Sequence, residues 1–104
     1  MQIELAELLA ILKSQPSQTH SFEIGKNYLI RTATHYELGK LIKITDTDLV
    51  LEDASWIPDT GRFNQALREG LLEEVEPFIK PVIVNRGGII DATIWDNDLP
   101  RNVK

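Results

Sequence analysis

Trp56-Ile57-Pro58-Asp59-Thr60-Gly61-Arg62-Phe63 decides how this chain is divided. Proline lacks the amide donor that a ladder or a helix requires, and glycine loses more conformational freedom on ordering than any other residue. A run holding Pro58 and Gly61 therefore reads as a loop, not as a central strand or an interior helical turn. Loops on a rigid scaffold concentrate binding groups, and large aromatics within them need either a core or a partner.

Upstream of this run, short stretches of β-branched and aromatic residues are broken by polar or glycine positions, the pattern of strands. Asn27 to Thr34, Glu37 to Thr45 and Asp48 to Asp53 make three of them, with Thr45-Asp46-Thr47-Asp48 as a turn whose short side-chain oxygens bond nearby amides. The expectation is an antiparallel meander. Gly39 inside the second strand marks a bulge or a close backbone approach. Arg31 lies among apolar neighbours and needs an acceptor, either a carboxylate on a half-exposed sheet face or a ligand.

Downstream, Asn64 to Glu69 suits about two helical turns stopped by a left-handed Gly70, with Phe63, Ala66 and Leu67 packed on the sheet because so short a helix cannot sustain itself. Glu73-Glu74-Val75-Glu76-Pro77 leads into the apolar run Phe78 to Asn85, whose Pro81 fits an edge or a bulge. Arg86-Gly87-Gly88 reads as a hairpin turn with positive φ and Arg86 at its tip. The chain closes on Ile94-Trp95, with fraying expected beyond Leu99.

Ahead of the strands, residues 2–13 place Leu5, Leu8, Leu9 and Leu12 on one helical face and Glu4, Glu7 and Lys13 on the other. The polar segment from Ser14 to Ser21 tethers this amphipathic helix, which either folds back on its own domain or packs on a second copy. The domain division is thus 1–21 for helix and linker and 22–104 for a β-rich ligand-binding domain. Glu4 and Glu7 replace the basic leader of a secretory signal, and no apolar run approaches the roughly 20 residues of a membrane span. The absence of cysteine excludes disulfides and thiolate chemistry, and fits a reducing cytoplasm. A net charge of −5 argues against nucleic-acid binding as the main role, because phosphate backbones demand a basic face.

The catalytic possibilities are thin. His20 and His35 have no second ligand at metal-site spacing, and read as surface residues. Asp46/Asp48 and Asp96/Asp98 lack the loop pattern of a calcium site, and no glycine-rich phosphate loop follows a strand. No nucleophile stands beside a base, so neither enzyme activity nor a cofactor or metal is expected. What remains is Arg31, Arg62 and Arg86 with Trp56 and Phe63, flat rings and forked cations that suit a nucleotide-like ligand. The same residues also suit a small core, with Arg62 paired to Asp59 or Glu69.

Tyr28-Leu-Ile-Arg-Thr, Gly39-Lys-Leu, the run from Leu49 to Phe63 and Glu74-Val-Glu-Pro-Phe78 resemble a family of small bacteriophage proteins, and through it the Thoeris anti-defence sponges, which sequester cyclic ADP-ribose isomers made by host TIR-domain enzymes. The likeness spans about residues 22–101. It implies a homo-oligomer, a dimer or a hexamer of dimers, with pockets between protomers, no cleavage of the ligand and action in the cytoplasm of the infected bacterium. It further implies that Phe63 stacks on adenine and that Arg31 and Arg86 contact phosphate or ribose.

The expected fold is α+β and β-rich: about five antiparallel strands in a small half-open barrel or meander, an N-terminal amphipathic helix and a short helix after the third strand. Besides signal capture, two roles stay open: an acidic inhibitor of a host protein acting by charge mimicry, and a small structural or assembly protein of the virion.

Overall fold

The computed structural model describes residues 20–104, so the expected N-terminal helix and most of its linker lie outside the described residues. The described chain is β-rich with a single α-helix, in the order β1 (Asn27–Thr32), β2 (Tyr36–Ile44), β3 (Asp48–Asp59), α1 (Phe63–Glu69), β4 (Glu74–Pro77), β5 (Val82–Asn85), a 3-10 turn η1 (Arg86–Gly88) and β6 (Ile89–Ile94). All pairings are antiparallel within one sheet, which has six strands where the sequence pattern suggested about five.

The meander β1-β2-β3 forms as expected. Its second turn is closed by Thr45, whose amide donates to the Asp48 carbonyl at 2.9 Å and whose hydroxyl accepts from the Asp48 amide at 3.0 Å. Gly39 is a close approach: a Cβ there would lie 2.8 Å from that of Ala54. The short helix also holds, stopped by Gly70 in the left-handed region at φ 73°.

The run from Trp56 to Phe63 departs from its reading as a loop. β3 continues through Trp56, Ile57 and Pro58 to Asp59, so only Thr60 to Arg62 connect it to α1. Pro58 is tolerated because the β2 pairing ends at Ile57 and the β4 ladder is irregular between Trp56 and Asp59, which leaves its missing amide without a required partner. β3 serves two partners along one edge: Asp48 to Leu51 pair with β5, and Ser55 to Asp59 with β4. Asp53 sits between these stretches at φ 49°, a conformation that aspartate tolerates better than most residues.

Arg86-Gly87-Gly88 is likewise not a hairpin turn. β5 pairs with β3 and β6 pairs with β1, so η1 joins strands at the two ends of the strip β5-β3-β2-β1-β6. Neither Gly87 nor Gly88 has positive φ, and the Asn85 side chain caps the turn by accepting from the Gly87 amide at 2.7 Å. The expected fraying beyond Leu99 is also corrected. Lys104 and Val75 exchange two backbone hydrogen bonds of 2.9 Å, Arg101 pairs with Asp53 at 3.0 Å, and Leu99 packs on the core.

Strand alternation divides the core between the two faces of the sheet. Leu29, Leu38, Ile57, Ala66, Leu72, Val75 and Trp95 fill the face covered by α1 and the C-terminal segment. Tyr28, Ile30, Leu41, Leu49, Leu51, Ala54 and Val84 fill the other, flanked by the half-buried Phe22, Ile44, Val82, Ile89 and Ala92.

Candidate functional site

Across the α1 face runs a row set by register: Asp91 on β6, Arg31 on β1, Tyr36 on β2 and Ile57 on β3. Arg31 shares the parity of Leu29, which places it on this face but at its rim, where it stays half exposed. Its fork is occupied by Asp91: Nε donates to Oδ1 at 3.1 Å and Nη2 to Oδ2. The Asp91 hydrogen bond and charge raise the Arg31 pKa above its ordinary value, with a smaller contribution from Tyr36, so the guanidinium stays charged throughout the physiological range. The acceptor that the sequence demanded for Arg31 is thus a carboxylate of the neighbouring strand.

Tyr36 links this row to α1. Its ring lies 5.9 Å from that of Phe63 at an interplanar angle of 33°, and Phe63 leaves 43% of its surface open. Arg62 precedes Phe63 and lines a shallow hollow of about 490 Å³ with Asn64, Gln65, Arg68 and Glu69. Two guanidinium groups and two amides there face a single carboxylate, a lining suited to an anionic or strongly hydrogen-bonding ligand.

Trp56 is separated from this group. It is the cross-strand partner of Glu37 and shares the face of Ala54, on the opposite side of the sheet from Ile57 and Tyr36. Arg86 is elsewhere again, with its guanidinium donating to the Thr45 carbonyl at 2.6 Å on the β2–β3 turn. Of the five residues singled out from sequence, the structure therefore groups Arg31 and Phe63 around Tyr36, sets Arg62 beside Phe63, and places Trp56 and Arg86 apart.

A second constellation escaped the sequence reading. His35, expected to be an ordinary surface residue, is hydrogen-bonded through Nε2 to Glu37 Oε1 at 2.8 Å and through Nδ1 to the Thr34 hydroxyl at 2.7 Å. The His35 ring meets Trp56 edge-on at 6.4 Å. Glu37 is only 7% exposed, and its Oε2 finds no hydrogen-bond partner among the described residues. The signal available was the spacing His35-x-Glu37, which puts two side chains on one side of an extended chain. The burial of Glu37 follows from its partners Ile30 and Trp56, which only the register reveals.

Among the described residues, no group of three or more His, Cys, Asp or Glu side chains is placed to hold a metal ion, and no helix is long and apolar enough to cross a membrane. Comparison with protein-family models, curated proteins and solved structures finds no match to this chain.

Proposed function

We propose that this chain is a non-catalytic binding protein of a bacteriophage that sequesters a cyclic nucleotide signal of the cyclic ADP-ribose isomer type in the cytoplasm of the infected bacterium. The observation that carries this reading is the half-open face of Phe63, backed by Tyr36, with Arg62 preceding it at the start of α1. An exposed ring face offers a base about 1–3 kcal/mol of stacking, and free arginine forks match phosphate oxygens in bidentate fashion. Because Arg31 already grips Asp91, phosphate contact falls mainly to Arg62 at the start of α1.

A half-open barrel belongs to this reading, supported by the three-residue η1 that joins β5 and β6, the strands at the two ends of the strip β5-β3-β2-β1-β6. So does a homo-oligomer. Phe78 and Ile79, the latter at 99% exposure, lie along the segment entering β5, and Ile83 at 68% lies within β5, whose outer edge carries no strand among the described residues. Arg86 and Trp56 contribute to ligand capture only if a second protomer brings them to the Phe63 face.

One observation favours the alternative, an acidic inhibitor that binds a host protein. Glu74 and Glu76 project from β4, next to Glu73, on a chain of net charge −5. The melting temperature separates the two readings. Capture of the signal predicts a rise that grows with the concentration of a cyclic ADP-ribose isomer. Charge mimicry predicts indifference to that ligand and salt-sensitive association with basic proteins.

A further inference from the structure

On the face opposite α1, register sets Glu37 on β2, Trp56 on β3 and Glu76 on β4 side by side. Directly opposite residues of antiparallel strands share a face, with Cβ atoms about 5 Å apart. An indole with 43% of its surface exposed thus lies between two carboxylates. Glu76 is exposed, whereas the Glu37 side chain is only 10% exposed. His35 locates the Glu37 carboxylate: it is bonded to Oε1 at 2.8 Å, and its ring meets Trp56 edge-on at 6.4 Å. Oε2 is left buried with no partner among the described residues, an acceptor that costs stability until a donor reaches it. Among the described residues, no lysine or arginine pairs with Glu37 or Glu76, and no trio of side chains is placed to hold a metal ion.

We propose that this row binds a guanidinium group, carried by an arginine of a partner protein or by a free guanidino compound. Shape selects this cation. A guanidinium stacks flat on an indole, the strongest aromatic platform for a cation, and its N–H donors then lie in the stacking plane, directed outwards to the carboxylates of the two flanking strands. A quaternary ammonium has no N–H to offer Oε2, and a lysine ammonium is a strongly hydrated point charge without the planar fork. Trp56 and His35 are both partly exposed, so rotation of either ring admits a donor to Oε2. The site lies on the opposite side of the sheet from Tyr36 and Phe63, so it does not rest on nucleotide capture, and each can fail without the other.

The two tryptophans of the chain give two indole N–H resonances, and Trp56→Phe identifies the one that reports on the site. Acetyl-arginine-amide, its neutral isostere acetyl-citrulline-amide and the tripeptide acetyl-Gly-Arg-Gly-amide are each titrated into the full chain. The expected result is a saturable shift of the Trp56 indole resonance, with both arginine compounds binding at least fivefold more tightly than citrulline and the Trp95 resonance unmoved. Glu37→Gln and Glu76→Gln, each shown by its amide spectrum to be folded, should weaken arginine binding several-fold. If Glu37→Gln misfolds, the exposed Glu76→Gln decides alone. Equal affinity for arginine and citrulline, no saturable shift, or wild-type affinity in the folded glutamine variants would overturn the proposal. A tripeptide bound several-fold more tightly than the single residue assigns the guanidinium to a partner protein, and equal affinity assigns it to a free guanidino compound.

Discussion

The two faces of the sheet hold similar ingredients to opposite effect. On the α1 face, Tyr36 and Phe63 are accompanied by Arg31 and, at the start of α1, by Arg62, whereas on the other face Trp56 is accompanied by His35 and the buried carboxylate of Glu37. Consecutive residues of one strand feed both: Tyr36 goes to the first and Glu37 to the second. One face therefore offers aromatic surface with positive charge, and the other offers aromatic surface over a negative group. Alternation along β2 and β3, rather than nearness in sequence, decides which cations and rings can act together.

The faces also differ in how completely they are sealed, and the largest expected effects follow from that. Trp95 is 3% exposed, is packed in the α1-face cluster and donates its indole N–H to the Asp98 carbonyl at 3.1 Å. Trp95→Ala should cost about 3–5 kcal/mol of stability in denaturant unfolding. Phe22→Ala should cost clearly less, because Phe22 is only half buried and borders open grooves. Equal losses would show that the second face is as well sealed as the first.

The polar groups of the second face give the next effect. Removing the His35 partner strands a buried carboxylate, so His35→Ala should destabilise by about 1–3 kcal/mol. Adding Glu37→Leu to that variant should restore most of the loss, since an unpaired buried charge costs more than a packed apolar side chain. If the double variant is no more stable than His35→Ala alone, the Glu37 carboxylate is already satisfied by other means.

On the α1 face the charge is at the rim, and its removal should be nearly silent in stability. Arg31→Ala is expected to leave the melting temperature close to that of the wild type, because exposed ion pairs contribute little. With the Arg31 pKa raised, its interaction with Asp91 is fully present below the unfolded-state pKa and is lost only as pH climbs through the higher folded value. Arg31 should therefore confer no pH dependence between pH 6 and 9. A melting temperature that changes over that range in the wild type but not in Arg31→Ala would contradict this.

Much of the fold was legible from local pattern. The meander, the Thr45–Asp48 turn, the helix stop at Gly70 and the close approach at Gly39 all follow from residue type and spacing. What failed depends on distant partners. Pro58 and Gly61 imply a loop only if β3 needs a full ladder to its end, and it does not. Gly87 and Gly88 imply a hairpin only if β5 pairs with β6, whereas these strands pair with β3 and β1. The same limit applies to the site. Trp56 and Phe63 are close in sequence, but a strand that continues through Ile57 puts them on opposite faces, and Arg86 is tied to a turn forty residues away in the chain.

The central claim is that the α1 face, not the Trp56 face, receives a nucleotide. Calorimetric titration with a cyclic ADP-ribose isomer of the wild type, Phe63→Ala and Trp56→Ala, each shown to be folded, tests it most directly. Phe63→Ala should weaken binding by about 1–3 kcal/mol, while Trp56→Ala should retain wild-type affinity. No heat with the wild type, or a loss confined to Trp56→Ala, would contradict the account.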